Sequence, residues 1–103
     1  MTITSKQRAE LRAEAHHLSA LVHVGQHGLT RAIIGTLDDA LRTHELVKVQ
    51  LGKQVDLSAR EAAEQLAGAV RADVVQVIGK TTTLYRENPS LEKKKGALPP
   101  WRR

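Results

Sequence analysis

The sequence predicts an α/β domain with the element order α-β-α-β-α-β-β and a mixed four-stranded sheet. Three observations carry this: apolar residues repeat at helical spacing in three separated stretches, short β-branched runs stand between and after them, and the last two runs are joined only by Gly79-Lys80. Strands connected through a helix are normally parallel with a right-handed crossover, whereas a two-residue connection forces the last pair antiparallel, so the sheet must be mixed. The helices are long enough to cover one face. Polar alternation at Lys48 and Gln50, and at Thr81 and Thr83, leaves the other face partly wet, so the helices are expected mainly on one side.

Taken in order, Thr4 with Gln7 has the form of a capping box, and "SKQRAELRAEAHHL" predicts a first helix over about 5–17, with Leu11, Ala15 and Leu18 on one face. "ALVHV" (Ala20 to Val24) is short, β-branched and stopped by Gly25, which marks a strand. A second helix follows from about Leu29 to Thr43, where Ile33, Ile34, Leu37, Ala40 and Leu41 recur at helical spacing and Asp38, Asp39 and Arg42 take the outer side. "ELVKVQL" (Glu45 to Leu51) alternates as a half-buried strand does. Ser58 with Glu61 opens a third helix that gathers Ala62, Ala63, Leu66, Ala67 and Val70 on one face. "DVVQVIGKTTTLYR" (Asp73 to Arg86) gives two strands around Gly79-Lys80, and glycine first in such a connection suits a type II′ hairpin.

The chain of 103 residues suits one domain, residues 1–87, followed by a tail, residues 88–103, in which periodicity stops and Pro99-Pro100 favours extended backbone. The absence of cysteine excludes disulfides, thiolate metal sites and cysteine nucleophiles. The first twelve residues, "MTITSKQRAELR", do not resemble a signal peptide and no apolar run approaches a membrane span, so a cytoplasmic monomer with no membrane contact is expected. The net charge of +5 lies entirely in Lys93, Lys94, Lys95, Arg102 and Arg103, because residues 1–92 carry eleven Lys or Arg and eleven Asp or Glu. A basic tail of this kind is either a solvated end or an arm that contacts phosphates. The domain itself must then bind through an uneven distribution of charge.

The clearest binding signal is "VHVGQHGLTRAII". Gly25 and Gly28 enclose Gln26 and His27 in a turn from strand to helix, where the backbone lacks side chains. The first amides of a helix have no intrahelical partner and its dipole adds roughly half a positive charge there, so an anion such as phosphate is the expected visitor. KH modules clamp a nucleic-acid backbone with the same GxxG turn. Arg31 adds charge just inside the helix, and His27 can donate a hydrogen bond to phosphate or ribose. By itself the pattern also fits a plain tight turn.

Taken together, "HVGQHGLT", "ELVKVQL" and "VVQVIGKTTTLYR", in that order and at those separations, resemble the bacterial single-domain proteins of the CRS1-YhbY, or CRM-domain, family. The resemblance covers residues 3–86 or so, including the first helix. It implies an RNA-binding domain whose sheet is similar to the C-terminal domain of bacterial initiation factor three, with a KH-like GxxG loop that maps to Gly25 and Gly28. It also implies a part in ribosome biogenesis, through ribosomal RNA in precursors of the large ribosomal subunit. The tail lies outside the resemblance.

Composition narrows the mode of contact. With no Phe, one Tyr and one Trp, the chain lacks the aromatic platforms on which RRM and OB modules stack bases, so backbone contacts are expected to dominate. Tyr85 reads as a sheet residue. "GKTTT" is not a phosphate-binding P-loop, because the glycine that motif needs at position 74 is Val74; Lys80 at the hairpin tip is either solvated or an extension of a basic surface. No i, i+4 histidine pair falls within a predicted helix, so no metal or other cofactor is expected, and His23 in its strand reads as structural. Lys6, Arg8 and Arg12 fall roughly a turn apart, as an RNA-facing stripe or as a solvated surface with Glu10 and Glu14 for partners. No catalytic residue is assigned. The alternative is a small phosphate- or RNA-processing enzyme that uses the same loop for its substrate.

Overall fold

The computed structural model describes residues 3–87. The elements are α1 (Ser5–Ala15), β1 (Ala20–Val24), α2 (Arg31–His44), β2 (Leu46–Leu51), α3 (Ala59–Val70), β3 (Asp73–Ile78) and β4 (Thr81–Tyr85). Local side chains open each helix. The Thr4 hydroxyl accepts from the Gln7 N–H while the Gln7 side chain accepts from the Thr4 N–H, and Ser58 and Glu61 repeat this box at α3. The second helix starts two residues later than its apolar pattern suggests, because Thr30 stays extended and its hydroxyl accepts from the Ile33 N–H at 3.2 Å. That helix ends where Glu45 takes φ 63° and donates its N–H to Leu41 O at 2.9 Å, so β2 begins at Leu46 rather than at Glu45.

The strands run β1-β2-β4-β3 across the sheet. β1 is parallel to β2, while β4 is antiparallel to both of its neighbours and lies between β2 and β3. Gly79 has φ 56° and Lys80 is not left-handed, the pattern of the expected type II′ connection.

Alternation along the strands divides the core in two. Val22, Val24, Val47, Val49, Leu51 and Leu84 meet Leu37, Leu41, Ala62 and Leu66 of α2 and α3 in one cluster. On the opposite face Leu46, Val75 and Tyr85 meet Ile3, Leu11 and Ala15. Two of the three helices thus share a face, and α1 crosses to the other, where it covers only the end at which β2 and β3 begin. Leu18, expected on the apolar stripe of α1, falls beyond the helix end and is 38% exposed. Thr83, between Lys48 and Gln76, is buried although its alternation suggested a wet position.

Arg86 fastens the sealed face. Its guanidinium donates to Asp38 Oδ1 at 2.7 Å, to Val70 O at 2.8 Å and to Asp38 O at 3.0 Å, joining the end of β4 to α2 and α3. This hydrogen bond, with the attraction of Arg86 and Arg42, holds the Asp38 carboxyl below its ordinary value against the opposing effect of desolvation.

Candidate nucleic-acid interface

Backbone pairing draws three glycine-led turns to one end of the sheet. Val24, the last residue of β1, pairs with Leu51, the last of β2. The Leu51 N–H donates to Lys80 O at 2.8 Å, and the Gly52 N–H donates to Val24 O at 2.8 Å. The turns Gly25 to Gly28, Gly52 to Val55 and Gly79-Lys80 therefore stand side by side, and Lys80 lies two strand spacings, ~10 Å, from Val24 along the hydrogen-bonding direction. α2 starts at this same end, immediately after the first turn.

The first turn is closed by the Gly28 N–H donating to Gly25 O at 3.0 Å. Gly28 has φ 74°, a conformation that L side chains rarely adopt, so glycine there serves the backbone. Gly25 differs: its backbone is not left-handed, and a Cβ placed on it would meet nothing within 4 Å. Gly52 is closely approached, since a Cβ there would stand 3.0 Å from Val24 O, a tight contact that its neighbour would have to relieve. Gly25, Gln26, His27, Arg31, Lys53 and Lys80 are all exposed around this end. Beyond the Thr30 cap, the amides of Arg31 and Ala32 belong to the first turn of α2 and have no carbonyl four residues back within the helix to receive them.

Of the residues singled out in the sequence, the structure brings together Gly25, Gln26, His27, Gly28, Arg31 and Lys80. It separates them from the α1 group. α1 packs over Leu46 and Tyr85, at the far end of strands whose five or six residues span about 17 Å. Lys6 and Arg12 are exposed there, but Arg8 does not stand with them on the outer surface: its guanidinium donates to Val74 O and Val75 O on the edge strand β3. The tail cations Lys93, Lys94, Lys95, Arg102 and Arg103 lie outside the described residues. Among the described residues no group of three or more His, Asp or Glu side chains is placed to hold a metal ion, and no helix is long and apolar enough to cross a membrane.

Gly52 and Lys53 escaped the sequence reading. Their signal was a second Gly-Lys pair, matching Gly79-Lys80, directly after an alternating strand. His23, read as structural, is exposed on the side of the sheet that α1 only partly covers.

A paired-glycine turn ahead of a helix, with exposed cations at the same end of the sheet, is an arrangement that can receive an anion. Residues 3–86 match the CRS1 / YhbY (CRM) domain, and the chain belongs to that family. It is 36% identical over 93 residues to the probable RNA-binding protein PA4753 of Pseudomonas aeruginosa, an alignment covering 90% of this chain and 89% of that protein. It is 37% identical over 97 residues to the probable RNA-binding protein YqeI of Bacillus subtilis, covering 94% and 99%. The solution structure of Staphylococcus aureus SAV1595, described as a candidate RNA binding protein, superimposes with a TM-score of 0.73 at 36% identity and covers 84% of this chain and 91% of that one.

Proposed function

We propose that this chain is a non-catalytic RNA-binding protein that holds the RNA backbone on the Gly25 to Gly28 turn and associates with ribosomal RNA in precursors of the large ribosomal subunit. The observation that carries the loop reading is Gly25, a glycine that neither backbone conformation nor crowding requires, ahead of a helix at the end of the sheet where three exposed cations stand. A missing side chain there leaves room for a phosphate to reach the amides of α2. Arg31, Lys53 and Lys80 add positive charge around it. The relatives' names support RNA as the ligand, and the family resemblance supports the ribosomal precursor as its source. On this reading the protein acts as a monomer in the cytoplasm and needs no cofactor.

Gly25→Asp is the cleaner test, because Gly28→Asp also strains a left-handed residue. The Gly25 variant should keep its native circular dichroism and lose RNA affinity, since a carboxylate replaces the space offered to phosphate. Unchanged affinity would remove the loop from the interface. In sucrose gradients of lysate the wild-type chain should sediment with large-subunit precursors and be depleted from mature subunits, and the variant should leave that peak. Equal occupancy of mature and precursor particles would refute the assembly role, and turnover of labelled RNA or nucleotide would favour an enzyme. Deleting residues 93–103 should weaken binding to all RNAs alike and lower the salt slope by up to about 3 to 4, at ~0.7 per phosphate contact on single strands.

A further inference from the structure

The face of the sheet opposite α2 and α3 is covered by α1 over one end only, and the strand register lays out the remainder as two rows. His23 pairs with Gln50, Gln50 with Thr81, and Thr81 with Ile78, a row that crosses all four strands. The row beneath it joins Ala20, Lys48, Thr83 and Gln76, in which Thr83 is buried and the other three are half-buried. The upper row ends directly below the glycine turns, since His23 precedes Val24 and Thr81 follows Lys80. A depression of about 170 Å³ lies across both rows, lined by His16, Lys48, Gln76, Ile78, Thr81 and Thr83.

We infer that this uncovered half of the sheet receives an unpaired nucleobase of the RNA whose backbone the glycine turn holds, and that it reads the base by hydrogen bonds. The inference rests on the RNA reading above. Gln50 and Gln76 each present a carboxamide that donates and accepts at once, which suits the edge of a base, and Thr81 adds a hydroxyl. His23 is exposed beside Gln50 and offers a flat ring for stacking, a partner that the scarcity of Phe, Tyr and Trp otherwise denies the domain. The two rows contain no carboxylate, while Lys48 stands within them and Lys80 at their rim, so the face complements an anionic strand.

The chemistry disfavours other occupants. The large exposed apolar side chains of these strands, Leu21 on β1 and Ile78 on β3, are on opposite edges of the sheet, three strand spacings or ~14 Å apart, with polar residues between them. A protein partner would find no continuous apolar centre there. The depression is also smaller than the ~300 Å³ and more of pockets that enclose whole small molecules, so it suits part of a nucleotide presented on a chain.

Three stem–loop RNAs with a common stem and single-stranded loops of only adenines, only cytosines or only uracils test this, with the fully paired stem as control. The wild-type chain should prefer one loop to the least favoured by about fivefold or more, the scale of a well-placed pair of base hydrogen bonds, and should bind the paired stem more weakly than its preferred loop. Gln50→Ala, an exposed substitution, and Gln76→Ala should each reduce that preference toward onefold. Gly25→Asp should instead weaken all three loops by a common factor and keep their ratio. Equal binding of the three loops, equal binding of the paired stem, or a preference that survives both glutamine substitutions would overturn the inference while leaving the RNA reading intact. Failure of the wild-type chain to bind any of these RNAs would end both.

Discussion

The two faces of the sheet are packed differently. Against α2 and α3, alternating valines and leucines close a continuous apolar cluster, and Arg86 ties both helices to the last strand. Against α1, a smaller cluster around Leu11 and Tyr85 seals one end, and the rest of the face presents His23, Gln50, Gln76 and Thr81 to solvent. The sealed cluster draws side chains from every strand of the sheet. On the open part of the other face the side chains are exposed or half-buried, so packing constrains them less.

The strongest challenge to this contrast is a cavity in the sealed cluster. Leu84→Ala removes a fully buried side chain at the centre of that face and should cost about 2–5 kcal/mol in urea unfolding. A loss similar to that of a surface change would mean that the sealed face does not carry the fold. Next in size, Arg86→Ala should cost about 1–3 kcal/mol, because the Val70 and Asp38 carbonyls lose its hydrogen bonds and the Asp38 carboxylate keeps only the exposed Arg42.

The same variant has a pH signature. The Asp38 pKa is lowered from 3.8 in the folded chain, so the unfolded state binds its proton first as acid is added. The stabilisation is present in full above the unfolded value and is lost as pH falls through the lower folded value. The gap in stability between wild type and Arg86→Ala should accordingly narrow below about pH 4. A gap that is constant from neutral pH to pH 2 would show that Asp38 contributes nothing to it.

Smaller effects sharpen the comparison. Thr82 points into the sealed cluster with a buried hydroxyl that has no hydrogen-bond partner, and Thr82→Val should raise stability by about 1 kcal/mol. On the open face Ile78→Ser, at a residue 58% exposed, should change stability by less than about 0.5 kcal/mol. A larger loss at Ile78 would mean that this face is covered in solution and that the contrast is false.

Much of the molecule was legible before folding was considered. Both capping boxes and the hairpin turn involve partners within a few residues, and each stands where the sequence puts it; the strand alternation holds except at Thr83, which is buried. The GxxG turn was legible as a pattern, but its two glycines look alike in sequence. Only the backbone separates them: Gly28 needs its positive φ, and Gly25 has no such need. Arg8 misled for a related reason, because its spacing with Lys6 and Arg12 says nothing of the carbonyls on β3 that draw it inward across 66 residues of chain.

The sequence by itself determined the order and type of the elements, the caps that begin the helices and the position of the glycine turn, since these depend on propensity and on hydrogen bonds between near neighbours. The tertiary structure decided which face α1 covers, that β4 enters between β2 and β3, and that the turns at Gly25, Gly52 and Gly79 meet at one end. Those outcomes depend on pairing between segments far apart in the chain, where a single register aligns Val24 with Leu51 and Leu51 with Lys80. No local pattern encodes that register. It follows from the one arrangement in which the apolar sides of all four strands are buried together.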